Sequence, residues 1–202
     1  LLASSQLNKT VNDLINVVSV EMGNIDQSLS PTAVAYLIRS ALEELSPLGR
    51  GRHLTIEMSN LDDLPIIYAD VRQLHQVFWN LLSNAVKFTP DGGQIQVSGR
   101  IVPEGIEISF ADSGIGINPA DQVYIFERFN ILGDVLNHST SSTSFMGGGL
   151  GLGLYISRGI VEVHGGRLWV ESPRCDKKSC PGSTFFVVLP THPPAKNGHS
   201  PA

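Results

Sequence analysis

The amino-acid sequence predicts a two-layer α/β sandwich built on a mixed sheet, and three observations carry that prediction. Apolar residues recur at helical spacing in four segments, and short alternating segments lie between them. Two alternating segments, 95–101 and 106–110, are joined only by a Pro-Glu-Gly reversal. With no crossover helix between them they must pair antiparallel, so a doubly wound parallel sheet fits less well. A last pair of strand-like segments, 168–171 and 183–189, follows the final helix.

The elements follow in order. Residues 1–22 read as a helix with Leu7, Val11, Leu14, Ile15 and Val18 on one stripe and Met22-Gly23 at its end. It is too short to make a domain alone and is expected to pack on a partner helix. Ser30 reads as the cap of a second helix, with Pro31 at its first position, running through Leu37, Ala41 and Leu45. A GRGR break precedes a strand marked by Leu54, Ile56 and Met58. Tyr68-Ala69-Asp70 caps a helix over 71–88, whose apolar stripe is Val71, Leu74, Phe78, Leu81, Leu82 and Ala85. TPDGG is a turn, followed by the two alternating strands, the second ending in ADSGIG. A short helical segment has Val123, Phe126 and Phe129 as its apolar side. Residues 130–146 are Ser/Thr-rich, lose periodicity after Leu136 and read as a mobile loop. The last helix runs to His164 and stops at Gly165-Gly166. The tail from 191 to 202 has no core residues and is expected to be disordered.

Bulk properties bound the function. The 202 residues suit one domain with a short appendage at each end, and a 42% hydrophobic fraction is enough for a core. A formal net charge of -5 leaves no basic footprint for nucleic acid. It does not exclude an anionic ligand, because local backbone amides override global charge. No run spans a bilayer and no signal-peptide layout is present. The chain begins without Met and reads as cut from a longer protein. Cys175 and Cys180, in CDKKSC, are no disulfide scaffold and have no near histidine for zinc. A local disulfide and two free thiols both stay open, the thiols being the expected state in a reducing compartment.

The stretch GGGLGLGLYISRGIVEVHGG places five glycines within residues 147–153, at the start of a helix. Glycine costs about 0.5–1 kcal/mol per residue there relative to alanine. Close backbone approach to an anion is one reason to keep them, since the first turn of a helix leaves N–H groups unpaired. Gly149, Gly151 and Gly153 alternate with Leu150, Leu152 and Leu154, so leucines can fix the turn while glycines bare its amides. A hinge with tight helix-on-sheet packing is the competing explanation. The run is no P-loop, because no Gly-Lys-Ser/Thr follows, and no dinucleotide fingerprint, because a loop rather than a strand precedes it. Asn80, Asn84 and Lys87 share a helix face. Amide oxygens suit Mg²⁺ beside phosphates, and lysine supplies a mobile positive charge. Asp112 ends an apolar strand before Gly114 and Gly116, where a carboxylate could accept a hydrogen bond from an exocyclic amine such as that of adenine. The loop 130–146 leads into the glycines as a lid would.

Together these motifs resemble the catalytic, ATP-binding domain of bacterial-type sensor histidine kinases. QVFWNLLSNAVKFTPDGG is similar to the family's Asn-rich box, FADSGIGI to its first glycine box, VYIFERF to its phenylalanine box, GGGLGLGLYISRGIVEVHGGRLWVES to its second glycine box and GSTFFVVLP to its closing strand. The likeness covers roughly residues 5–190 in the family's order. It implies the Bergerat-type ATP-binding sandwich shared with DNA gyrase, a heat-shock chaperone class and mismatch-repair ATPases. By that resemblance ATP and Mg²⁺ are the cofactors. Asn84 binds the metal with Asn80 beside it, Lys87 touches phosphate, and Phe88 flanks the pocket. Asp112 reads the adenine amine over a floor shaped by Gly114 and Gly116. Gly149, Leu150, Gly151, Leu152 and Gly153 border the triphosphate, and Phe126 and Phe129 hold the base of the lid.

The resemblance also assigns the ends. LNKTVNDLINVVSVEMGNI is similar to the second helix of the family's dimerisation and phosphoacceptor domain, so residues 1–25 are expected to belong to that domain, 26–190 to the catalytic domain and 191–202 to the tail. The acceptor histidine lies on a first helix that no residue here supplies; His75 and His164 read as structural or exposed. The expected activity is therefore donation of the ATP γ-phosphoryl to a histidine on a separate helix, without autophosphorylation by this chain alone. A response regulator is the implied next acceptor, the kinase domain is implied to be cytoplasmic, and the parent is implied to be a homodimer, with the state of the fragment open. Hydrolytic relatives look to glutamate as general base where this chain has Asn80, which favours a phosphoryl donor over an ATP-hydrolysing clamp. A degenerate nucleotide-binding regulator remains the alternative. The CDKKSC insertion departs from the family's tighter turn between the last two strands.

Overall fold

The computed structural model describes residues 17–18, 21, 27–49, 52–128 and 151–192. In chain order the elements are β1 (Ser30–Thr32), α1 (Val34–Gly49), β2 (Thr55–Ser59), β3 (Ile67–Ala69), α2 (Val71–Phe88), β4 (Gln94–Val102), β5 (Gly105–Asp112), a single 3-10 turn (Tyr124–Phe126), α3 (Gly153–Val163), β6 (Arg167–Glu171) and β7 (Ser183–Leu189). The main sheet has the order β2-β4-β5-β7-β6, and β1 pairs with β3 in a small separate sheet. β2 runs parallel to β4, whereas β4–β5, β5–β7 and β6–β7 are antiparallel. The expected mixed sheet is thus present, covered on one face by the helices.

Strand alternation decides which side chains meet those helices. Ile106, Ile108 and Phe110 of β5 pair across the ladder with Leu189, Val187 and Phe185 of β7, and all six are buried. Phe78 of α2 stacks on Phe110 with ring centroids 5.9 Å apart, fixing helix to sheet. The opposite face is polar: Arg100 Nε donates to Glu107 Oε1 at 2.6 Å, and the Ser98 and Ser109 hydroxyls lie 2.7 Å apart. Asp112 falls in the same alternating set as Phe110, so a carboxylate ends the helix-facing row of the central strand.

Helix α2 begins and ends where the sequence predicts. The Asp70 carboxylate accepts from the Arg72 and Gln73 N–H groups and from Ser28 N–H at 2.9 Å. Burial opposes its ionisation, but those three donors outweigh it and hold its pKa below the usual carboxylate value. At the other end Thr89 N–H returns to Ala85 O.

Several expectations are corrected. Ser30 and Pro31 lie in β1, not at a helix start; Pro31 faces Tyr68 in a three-residue strand, a place that tolerates a residue with no N–H. The helix begins at Val34 instead. Of the segment expected over 1–22, Val17, Val18 and Glu21 are described and helical, and Val17 rather than the expected Val18, which is 48% exposed, is the buried one; Leu7, Val11, Leu14 and Ile15 lie outside the described residues. Val71 and Val123 are exposed; Ile125 and Phe126, within the 3-10 turn, are the residues it buries. Phe129, the loop 130–146 and the tail from 193 onward lie outside the described residues. Both cysteines are free thiols. Among the described residues no helix is long and apolar enough to cross a membrane.

A residue that sequence reading passed over fixes the end of α2. Arg52, buried just before β2, donates from Nη1 to Val86 O and from Nη2 to Thr89 O, both at 2.6 Å, and from Nε to Asp91 Oδ1 at 2.8 Å. It satisfies carbonyls that a helix terminus leaves unpaired. Arg52→Met should therefore lower stability by roughly 2–4 kcal/mol, since two buried carbonyls lose their donors. Urea unfolding measures it, and a change below about 0.5 kcal/mol would show the clamp to be redundant.

Candidate nucleotide site

The polar face of α2 links two loops. At its C-terminal end, Phe88 O accepts from Ile115 N–H at 3.2 Å, which draws the turn after β5 against the helix. Gly114 sits in that contact: a Cβ there would lie 2.5 Å from both Asp112 Oδ1 and Phe88 O, so only glycine fits. Its N–H donates to Asp112 Oδ1 at 2.8 Å. Gly116 is confined twice over, by a φ of +74° and by Arg174 O, 2.0 Å from where a Cβ would stand.

Asp112 is the electrostatic centre of this end. Burial pushes its pKa up to about 6, and the N–H bonds from Gly114 and Ser183 only partly offset that. In a folded chain that binds more protons than the unfolded one between pH 3.8 and about 6, this carboxyl lowers stability as pH rises through that window. A carboxylate held at such a cost to the fold at neutral pH is a candidate for a ligand-binding role.

Two turns back along α2, Asn80 Nδ2 donates to Gly153 O and to Ser157 Oγ, both at 3.2 Å. Ser157 is fully buried, so this amide ties α2 to the first turn of α3. The side chain of Asn84, between the two loops, makes no hydrogen bond among the described residues, and the residue is only partly buried. Lys87 Nζ lies 4.8 Å from the centroid of the Phe88 ring. The donor set suits a hard cation beside phosphates: a neutral amide oxygen at Asn84 with no hydrogen-bond partner among the described residues, a second amide at Asn80 whose nitrogen is already engaged, and a lysine nearby.

Helix α3 opens at Gly153 after Leu152, which is buried, and Gly151, whose φ is +68°. Its N-cap, Leu152, makes no side-chain hydrogen bond to the first turn, whose N–H groups have no partner within the helix. Gly149 and Leu150 lie outside the described residues. At the far end His164 is buried: its Nε2 accepts from Asp70 N–H at 3.0 Å while Nδ1–H donates to Ile160 O at 2.7 Å. Burial lowers its pKa and keeps the ring neutral, so this histidine joins α3 to the start of α2, as a structural reading of it expects. Sequence reasoning missed Ser157 and Arg52. Their partners lie in distant segments, and no local pattern announces them.

Asn80, Asn84, Lys87 and Phe88 lie along the C-terminal half of α2; the Asp112–Gly114 turn meets that helix at Phe88, and the Gly151–Gly153 turn meets it two turns earlier, at Asn80. Residues 69–193 match the family model described as histidine kinase-, DNA gyrase B-, and HSP90-like ATPase. The adaptive-response sensory kinase SasA of Prochlorococcus marinus strain MIT 9303 is 37% identical over 88% of this chain, which spans 42% of that relative's length. The structure of full-length ShkA in complex with AMPPNP superimposes with a TM-score of 0.74, at 28% identity, over 93% of this chain and 36% of that one. Histidine kinase ThkA, in complex with the response regulator protein TrrA, shares the fold at 20% identity, with a TM-score of 0.66 over 94% of this chain and 49% of that one. By sequence and by fold, the chain belongs to the histidine kinase-, DNA gyrase B- and HSP90-like ATPase family, and within it to the catalytic domains of sensor histidine kinases.

Proposed function

We propose that this domain binds ATP with Mg²⁺ and donates the γ-phosphoryl group to a histidine nitrogen on a separate helix. The observation that carries the reading is the spacing of the two loops on α2. From Phe88 at the Asp112–Gly114 turn to Asn80 at the start of α3 is eight residues of helix, about 12 Å. A nucleoside triphosphate spans such a distance. Adenine at one end would donate its exocyclic N–H to Asp112, and the phosphates at the other would meet the uncapped amides of α3.

In this arrangement Asn84, with Asn80 beside it, would hold Mg²⁺, which neutralises phosphate charge when bound. Lys87 adds a second positive charge, and Gly149 to Gly153 line the phosphates. The chain's contribution is positioning and charge stabilisation rather than covalent chemistry. The bond from the γ-phosphorus to the β–γ bridging oxygen breaks, a bond to the histidine nitrogen forms, and ADP leaves. Asn80 cannot serve as a base for water, and its amide nitrogen is occupied by Gly153 O and Ser157 Oγ. That occupancy favours transfer to a protein acceptor over hydrolysis.

Residues 1–25 are read as the end of a dimerisation and phosphoacceptor domain, in a homodimeric parent whose kinase domain is cytoplasmic. A response regulator is the next acceptor, a reading supported by the complex of histidine kinase ThkA with the response regulator protein TrrA. Without an acceptor histidine this chain alone should not autophosphorylate. Calorimetry with Mg-AMPPNP and with a guanine analogue tests the reading. Binding of the adenine compound that weakens without magnesium is expected, and so is phosphorylation of an added acceptor domain. Equal affinity for the guanine analogue would refute the role of Asp112. Nucleotide binding with no transfer to the acceptor would identify a degenerate regulator.

A further inference from the structure

The CDKKSC insertion between β6 and β7 is built into the wall behind Asp112. Asp176 N–H donates to Ile115 O at 2.7 Å, Gly182 N–H to Gly114 O at 2.9 Å and Cys175 N–H to Asn118 Oδ1 at 3.0 Å. Ser172 Oγ accepts from Ile117 N–H at 2.9 Å and donates to Gly182 O at 2.7 Å. The segment 114–118, starting two residues after Asp112, therefore has three of its backbone groups, Gly114 O, Ile115 O and Ile117 N–H, paired to loop 172–182. Within that loop Cys180 N–H returns to Asp176 O at 3.0 Å, closing a turn over Lys177, Lys178 and Ser179. The Asp176 carboxylate accepts from the Lys178 and Ser179 N–H groups and from Ser179 Oγ. The turn thus ties Cys180 to the residue next to Cys175. Cys180 takes a φ of +43°, uncommon for a side-chain-bearing residue, and its Sγ lies 3.5 Å from Lys177 O, facing back over the turn. Cys175 is exposed and Cys180 half-buried, so small oxidants reach both.

We propose that Cys175 and Cys180 form a reversible disulfide that locks this turn and tightens the hold of segment 114–118 on an adenine nucleotide. The oxidant is a low-molecular-weight disulfide such as oxidised glutathione. One cysteine thiolate attacks it, releasing one small thiolate and leaving a mixed disulfide; the second cysteine thiolate attacks the protein sulfur and releases the other. The two protein thiols lose two electrons and two protons, and the small disulfide becomes two thiols. The effect on nucleotide rests on the proposed ATP site, whereas the disulfide itself does not.

The test exposes the whole chain to oxidised glutathione, then to a reductant. Intact mass should fall by two hydrogens per chain, reversibly, and hydrogen exchange at the Asp176 and Gly182 amides should slow by about threefold or more in the oxidised form. AMPPNP should bind the oxidised chain about threefold or more tightly. Cys175→Ser should abolish all three responses and keep the affinity of the reduced chain. A chain that yields only mixed disulfides, or an oxidised chain whose exchange is unchanged, overturns the proposal. So does unchanged or weakened affinity where the reduced chain binds. Slowed exchange with no AMPPNP binding in either state would uphold the clasp and refute the ATP site.

Discussion

Asp112→Ala should weaken ATP binding roughly 10- to 100-fold while leaving inorganic triphosphate unaffected, because a hydrogen bond to a charged acceptor contributes about 1.5–3 kcal/mol. The selectivity follows from the position of Asp112 on the sheet. It closes the helix-facing row of β5, with Phe110 before it and Gly114 folded against it, at the end of α2 away from Asn80. Its pKa of about 6 adds a pH signature. In the proposed site adenine would donate to the ionised carboxylate, so binding should lower that pKa and release a proton near pH 6. Affinity should be full above pH 7 and fall as pH drops through 6. Asp112→Asn keeps an acceptor oxygen but cannot titrate, so its affinity should lose that component while retaining the titration of the phosphates. Calorimetry with AMPPNP at pH 5.5 and 7.5 on both chains separates the two. The same pH dependence in both would place the titrating group elsewhere.

Much of this site is readable in the sequence because its parts are local patterns. Asp70 and the TPDGG turn bound α2, and the spacing of Asn80, Asn84 and Lys87 puts them on one face once the helix is granted. Asp112 stands out as a carboxylate ending an apolar strand before two glycines. The misreadings share a cause. Ser-Pro before an apolar run is a good helix start, and only pairing with Ile67–Ala69, distant in sequence, makes a strand of it. Valines 17 and 18 are equivalent by composition, and tertiary packing alone selects which is buried. Arg52 looks like part of a polar break, yet it reaches carbonyls 34 and 37 residues away. The insertion CDKKSC looks like a surface loop, and its hydrogen bonds to segment 114–118 cross more than fifty residues. Local chemistry writes the candidate site residues, and long-range contacts write those that hold them in place.

Asn84→Ala should reduce affinity for Mg-ATP by about 100-fold, to the level the parent shows without magnesium. Its stability should stay within about 0.5 kcal/mol of the parent, because the Asn84 amide has no hydrogen-bond partner among the described residues and alanine favours the helix. Asn80→Ala should behave differently. Removing its amide takes a donor from Gly153 O and from the fully buried Ser157 hydroxyl, which should cost roughly 1–3 kcal/mol of stability and loosen the first turn of α3 as well as weakening ATP. The pair of variants thus separates a side chain reserved for a ligand from one that holds the loop bordering it. Thermal melts with and without Mg-AMPPNP read both effects at once. A large drop in the nucleotide-free melting temperature for Asn84→Ala, or none for Asn80→Ala, would reverse the two roles. Magnesium dependence that survives Asn84→Ala intact would move the metal off this residue altogether.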